Sequence, residues 1–218
     1  MKKAALIFAS VLAFHFANAG PHGGYIGHRI ILAGEGAYSP FFTSVKDFYT
    51  KYNFQYGGNL NVIVARRTQV GVFYNMWSLG GNQAFQSNMG KNDRVNGTQY
   101  GLVVRNFRAG RGGLAPIGKF WDVSMSYASN TYKAGSDNKD ILGGTPENVP
   151  VSSNQILAHV AFGTQMVFWN HFVGNTGVRF GGPIYTIDKN NGGYKNFFAQ
   201  RIAYKEFFSV FFGIGFLI

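Results

Sequence analysis

Residues 208–218 read F-S-V-F-F-G-I-G-F-L-I and decide the fold of this chain. Side chains alternate between the two faces of a β-strand, so every second residue from Phe208 lies on one face. That face is apolar throughout and carries Phe208, Phe212 and Phe216, while serine and glycine occupy most of the other face. A chain that closes on such a strand is typical of a transmembrane β-barrel, whose apolar face meets lipid.

The N-terminal end predicts export. Two lysines precede the apolar stretch 4–16, which is too short to span a bilayer, and a small-x-small cleavage site follows at 17–19. This order of features is that of a secretory signal peptide. We therefore expect residues 1–19 to be removed and residues 20–218 to form the barrel domain.

The composition agrees with a surface that faces lipid. Charged residues make up only 13% of the chain, whereas a soluble domain usually has about 25%. Aromatic residues reach 17%, and there are 30 glycines and no cysteine. Few charges with many aromatic residues and glycines suit an apolar belt and a crowded barrel interior. The absence of cysteine excludes disulfides and thiol chemistry.

The formal net charge of +11 raises the question of an acidic partner. Nucleic-acid binding requires basic residues clustered on one accessible face. Here the basic residues are scattered over strand ends and loops, and export separates the chain from nucleic acid. We predict no nucleic-acid partner, and we expect lipids of the outer membrane, including anionic head groups, to supply the counter-charge.

Eight segments show the two-residue alternation of half-apolar strands. They predict an all-β fold: a closed, antiparallel, up-and-down transmembrane barrel of eight strands. The predicted strands are 28–38, 56–65, 69–77, 98–107, 118–127, 155–168, 174–187 and 201–217.

The connections between these strands alternate in length. Three are short, at 66–68, 108–115 and 169–173. Four are longer and polar, at 39–55, 78–97, 128–154 and 188–200. Short turns at one end and long loops at the other are typical of outer-membrane barrels, with the turns periplasmic and the loops extracellular.

These features together resemble the small OmpA/OmpX-type outer-membrane barrels of Gram-negative bacteria. The resemblance covers the whole of residues 20–218, and its most specific element is the final strand. It implies that Phe208, Phe212 and Phe216 belong to the strand that the barrel-insertion machinery recognises. The chain departs from the commonest form of that strand because Ile218, and not an aromatic residue, comes last.

The alternation places seven ionisable side chains inside the barrel. They are Arg29, Glu35, Arg105, Asp122, His159, Arg179 and Lys205. An eight-stranded barrel is only wide enough for its own side chains to fill. Charges in such a lumen must be paired or hydrated, so we expect Glu35 and Asp122 each to meet one or two arginines. The alternative is that the same charges line a narrow ion path.

The sequence offers no local motif for catalysis. His159 has no serine or aspartate near it in sequence, and the other histidines fall in the tails and turns. The loop that starts at Asp188 has Ala199 where a calcium loop requires a bidentate glutamate. We therefore predict no catalytic, cofactor or metal site. The function predicted is structural or interaction-based: envelope integrity, adhesion, or an accessory subunit of an outer-membrane complex. The alternatives are a narrow pore and a lipid-modifying enzyme.

Two surfaces are candidates for contact with partners. The short turns carry Arg66, Arg67, Arg108 and Arg111 with no acid among them, and this basic rim would bind anionic phospholipid or an acidic periplasmic partner. Arginine also simply suits a solvated turn, and that interpretation stays open. The first long loop is rich in aromatic residues, which would form either an interfacial girdle or a contact surface for a protein partner.

Overall fold

Eight β-strands follow one another through the chain with no helix between them in the part that the structure describes. The structure is a computed structural model, and it describes residues 27–42, 50–80, 94–108, 116–133, 151–187 and 208–218. The strands are β1 Ile30–Phe42, β2 Thr50–Ala65, β3 Thr68–Gly80, β4 Arg94–Phe107, β5 Gly118–Lys133, β6 Val151–Phe168, β7 Phe172–Ile187 and β8 Phe208–Leu217. Among these residues no helix is long and apolar enough to cross a membrane.

The first and last strands close the sheet on itself. Every strand pairs antiparallel with its neighbour in the chain, and β1 also pairs with β8 from Ile31↔Leu217 to Tyr38↔Val210. The backbone N–H groups of Arg29 and Ile30 both donate to the oxygen of Ile218, at 3.0 and 2.9 Å. The closed antiparallel barrel of eight strands predicted from the sequence is confirmed.

The outer wall is apolar and exposed on every strand. Large hydrophobic side chains such as Leu32, Leu102 and Phe212 are 54%, 39% and 55% exposed. On three neighbouring strands Tyr74, Tyr100 and Tyr127 are register partners, so they form a row across the outer surface. An apolar wall with aromatic rows is the surface that a transmembrane barrel presents to lipid and its interfaces.

The inner wall carries the opposite half of each strand, and it includes a cluster of buried apolar residues. We call this cluster the apolar plug, and it lies near the short connections. Its buried members are Ile31, Ala33, Ala37, Ile63, Phe107, Phe120, Ala161, Val173, Phe211 and Leu217. The rings of Phe107 and Phe120 have centroids 5.9 Å apart, and those of Phe120 and Phe211 are 6.4 Å apart. Three rings therefore line up inside the barrel.

Two glycines make room for these rings. A Cβ atom at Gly163 would lie 2.6 Å from the ring of Phe120, and one at Gly177 would lie 2.7 Å from the ring of Phe211. Real Cβ atoms do not approach other atoms so closely. The wall is therefore bare where each ring rests against it, as the narrow interior of an eight-stranded barrel requires.

The strands extend further towards the long connections than predicted. β1 ends at Phe42 instead of residue 38, β2 begins at Thr50 instead of residue 56, and β5 reaches Lys133 instead of residue 127. The predicted strands were too short because their bounds followed the apolar alternation, whereas ladder hydrogen bonds continue through polar residues beyond the apolar belt. The predicted signal peptide and residues 201–207 of the last predicted strand lie outside the described residues.

The outward position of Phe212 generates a test of the lipid-facing wall. Phe212→Arg should strongly reduce folding into lipid vesicles, because arginine near the middle of the apolar band of a barrel costs about 2–4 kcal/mol. Phe212→Leu, which keeps an apolar side chain, is the matched control. The measurement is the folded fraction, read from the change in gel mobility on heating. Equal folding of the two variants would mean that this face does not meet hydrocarbon.

Candidate functional site

The first ion pair of the lumen joins neighbouring strands. Arg105 on β4 and Asp122 on β5 are register partners. The Nη2 and Nε atoms of Arg105 donate to Oδ2 of Asp122 at 2.9 and 3.2 Å. The Nη1 atom donates to Oε1 of Gln165 at 2.8 Å, and Gln165 in turn donates to the carbonyl oxygen of Pro116 at 2.9 Å. The buried guanidinium is thus held by three donated hydrogen bonds.

The second ion pair crosses a strand. Glu35 on β1 and Arg179 on β7 are separated by β8, yet Nη2 of Arg179 lies 2.5 Å from Oε1 of Glu35. The β8 residues in register with them are Gly213 and Ser209, whose small size leaves the space that the arginine side chain needs. Asn59 also donates to Glu35, at 3.4 Å. The pair therefore ties together β7, β1 and β2.

Both guanidinium groups rest on the apolar plug. The Cζ atom of Arg105 lies 3.8 Å from the ring centroid of Phe120, and that of Arg179 lies 5.0 Å from the ring centroid of Phe211. Cations at this distance from an aromatic face are attracted by the ring quadrupole. Each guanidinium therefore contacts both a carboxylate and an aromatic ring of the apolar plug.

Four of the seven predicted lumen residues thus form two ion pairs, and none of the other three is seen in such a pair. Arg29 is exposed at the short-turn end instead of lying in the network, because it precedes the first residue of β1 and stands at the rim of the barrel. Lys205 lies outside the described residues. His159 is 3% exposed, and neither of its ring nitrogens has a hydrogen-bond partner among the described residues.

The position of His159 bears on the enzyme alternative. Its register partner on β5 is Ser124, which was not evident from the sequence because the two residues are 35 positions apart. A serine nucleophile is activated by a hydrogen bond to the histidine, and no such bond is present here. Over the described ranges no group of three His, Cys, Asp or Glu residues could hold a metal ion.

Sequence reasoning missed the amide groups of the lumen. Five glutamines are almost fully buried inside the barrel: Gln55, Gln69, Gln99, Gln155 and Gln165. Their inward parity was readable, but an uncharged amide attracts less notice than an ionisable group. Several buried polar atoms, including both amide atoms of Gln69 and the hydroxyl of Ser209, have no partner in the described protein. Such groups usually bind ordered water.

The basic rim stands at the short-turn end. Arg66 and Arg67 form the exposed turn between β2 and β3, and Arg108 is exposed directly after β4. Arg111 lies outside the described residues. The structure adds two exposed cations at the same end, Arg29 before β1 and Lys119 at the start of β5. Both cations lie next to strand starts that the sequence pattern predicted to within two residues.

Three of the four aromatic residues of β8 point away from the lumen. Phe212 and Phe216 are 55% and 53% exposed, and Phe208 is half-buried against Phe180 with ring centroids 5.3 Å apart. Phe211, between them in sequence, is fully buried in the apolar plug. The predicted insertion strand is therefore also the strand that seals the barrel.

Comparison with known proteins gives a likeness in structure but none in sequence. No protein-family model and no curated protein sequence matches this chain. Its structure is similar to that of Neisserial surface protein A, with 10% identity and a TM-score of 0.49 over 87% of this chain and 96% of that one. It is also similar to Ail, the attachment invasion locus protein of Yersinia pestis, with 8% identity and a TM-score of 0.49 over 88% and 99% of the two chains. A third similar structure is the outer membrane protein OprG from Pseudomonas aeruginosa, with 13% identity and a TM-score of 0.45 over 90% and 94%.

The buried ion pairs generate a stability prediction. Asp122→Asn leaves the guanidinium of Arg105 without its counter-charge, and breaking a buried pair in this way costs about 3–5 kcal/mol. The measurement is urea unfolding of the folded barrel in detergent. Asp140→Asn, in the connection between β5 and β6, removes the same charge from the chain and should change the free energy of unfolding little.

A double variant separates loss of the pair from loss of packing. Arg105→Met combined with Asp122→Leu removes both charges together, so it should recover part of the stability that Asp122→Asn loses. If Asp122→Asn and Asp140→Asn unfold at the same urea concentration, the ion pair does not hold the lumen together.

Proposed function

We propose that this chain is an outer-membrane β-barrel with a structural or interaction-based role and no enzymatic activity. The observation that carries the proposal is the inverted distribution of polarity. The outer wall of the barrel is apolar and exposed on all eight strands, while buried amides, hydroxyls and paired charges lie inside. A soluble protein rarely exposes so large an apolar surface, whereas a barrel in lipid must.

The orientation follows from the connections. Short turns lie on the periplasmic side of outer-membrane barrels and long loops on the outside. By the strand bounds of the structure the long connections are 43–49, 81–93, 134–150 and 188–207. In this orientation they face the exterior, and they hold seven of the nine acidic residues. They supply the surface for adhesion, for envelope integrity or for contact with a larger complex. At the base of the first of them Phe54 is 50% exposed on the outer wall, which favours an interfacial girdle for this part of the aromatic loop.

The filled lumen supports a closed barrel over a pore. The apolar plug, the two ion pairs and five buried glutamines share the interior of the barrel. The narrow-pore alternative rests on the buried polar atoms that have no hydrogen-bond partner among the described residues, because water bound to them would hydrate part of the lumen. The apolar plug would still interrupt such a path near the short turns.

Location is the first test of the proposal. The protein should fractionate with the outer membrane, and the folded form should migrate differently from the heated form on a denaturing gel. The reason is that the exposed apolar wall requires lipid or detergent. Recovery as a soluble periplasmic protein without detergent would refute the proposal.

Conductance is the second test. The purified protein should show no steady ohmic conductance in planar bilayers, because the apolar plug closes the lumen. Phe120→Ala removes the central ring of the plug and should raise the conductance. Phe162→Ala, which shortens a ring that is 53% exposed on the outer wall, is the matched control. Steady conductance by the unmodified protein would favour the pore alternative.

A further inference from the structure

Five exposed cations form one continuous arc around the short-turn end. We call it the basic arc, and its members are Arg29, Arg66, Arg67, Arg108 and Lys119. Backbone hydrogen bonds place them side by side. The carbonyl oxygen of Arg29 accepts from Ile63 next to the Arg66–Arg67 turn, that of Arg67 accepts from Phe107, and that of Lys119 accepts from Arg108, each at 2.8 Å. With strands about 4.8 Å apart, the arc spans β1 to β5 over about 20 Å.

No acidic side chain balances the arc within the described part of the chain. The two acids there, Glu35 and Asp122, lie inside the barrel and are already paired with arginines. The remaining seven acids all belong to the connections between β1 and β2, β3 and β4, β5 and β6, and β7 and β8. The positive charge of the arc therefore needs an external partner.

The arc begins where the apolar wall ends. Lys119 is two residues from Trp121 along β5 and points to the same outer face, directly below Trp121 and Val123. Arg108 continues the outward row of β4 below Leu102. At about 3.3 Å per residue, these cations lie within one side-chain length of the surface that meets hydrocarbon. Groups at that depth are phospholipid head groups, which makes lipid a better match than a protein partner approaching from the periplasm.

The other half of the same end is different. The β6–β7 turn carries Trp169, which is 84% exposed, and Phe172 packs against Phe216 with ring centroids 4.7 Å apart. Its described residues include no lysine or arginine. The short-turn end is therefore divided into the basic arc over β1–β5 and an aromatic arc over β6–β8.

We propose that the basic arc binds the anionic head groups of phospholipids in the inner leaflet, and that the aromatic arc does not prefer anionic over neutral lipids. The proposal rests on the proposed function, since it requires the barrel to sit in a membrane. Each Lys or Arg near an anionic surface contributes to binding, and the contribution decreases with salt. The barrel would thus collect anionic lipid on one side only.

Two tryptophans report on the two arcs separately. Trp121 lies above the basic arc and Trp169 lies in the aromatic arc, while Trp77 is 2% exposed on the inner wall and is shielded from lipid. Trp169→Phe leaves Trp121 as the lipid-facing reporter, and Trp121→Phe leaves Trp169. Each variant is folded into vesicles of phosphatidylcholine and phosphatidylglycerol in which one of the two lipids carries brominated acyl chains, and fluorescence quenching gives the local lipid preference.

The expected result is a preference for phosphatidylglycerol at Trp121 of about fivefold in low salt, as for one cation at an anionic surface, and none at Trp169. The preference should decrease as salt is added. Changing the five cations of the basic arc to glutamine should abolish it. The control changes five lysines of the long connections to glutamine and should leave the preference intact: Lys46, Lys91, Lys139, Lys189 and Lys195.

The other outcomes are distinguishable. No preference at Trp121, a preference that survives loss of the arc, or an equal preference at Trp169 would each overturn the proposal. Absence of lipid preference together with arc-dependent binding of polyglutamate would instead assign the arc to an acidic protein. If neither brominated lipid quenches either reporter, the barrel is not embedded in lipid, and the proposed function itself fails.

Discussion

The hydrogen bonds between β1 and β8 are the interaction on which the rest of this structure depends. A backbone N–H or C=O group exposed to hydrocarbon costs several kcal/mol, so a sheet that spans a membrane can have no free edge. Here the pairing continues from Tyr38↔Val210 down to Ile31↔Leu217. Once the sheet is closed, each residue of a strand faces either lipid or lumen, and the two-residue alternation of the sequence becomes a division between outside and inside.

Closure with only eight strands leaves a lumen that side chains must fill, and this explains the chemistry found there. Arg105 and Arg179 each combine a carboxylate partner with an aromatic ring beneath the guanidinium. A flat, weakly hydrated guanidinium can do both at once, whereas a lysine ammonium is a compact and strongly hydrated charge. Small residues opposite these groups, such as Gly213 and Gly177, are the counterpart of the large ones. The plug and the ion pairs form one packed unit.

The sequence predicted the fold well because period-two alternation is a local property. The number of strands, the outward rows and the inward parity of Glu35, Arg105, Asp122 and Arg179 could all be read from neighbouring residues. Strand ends could not, since ladder hydrogen bonds continue where the apolar alternation stops. The choice of partners could not either: Glu35 and Arg179 are 144 positions apart and meet across β8, which depends on the register of three strands. Arg29 was assigned to the lumen by parity alone, but at the rim of the barrel a long side chain reaches solvent whichever face it starts from.

The length of the connections also sorts the charge of the chain. The whole chain has 20 basic and 9 acidic residues. Within each of the two ion pairs of the lumen, the positive and the negative charge cancel. The long connections hold all the remaining acids, whose negative charges offset the positive charges in the same connections. Short turns have no room for such mixing, so the cations at their ends stay uncompensated. A barrel built in this way carries uncompensated positive charge at the end with the short turns. The counter-charge for the basic arc therefore has to come from the surroundings of the protein.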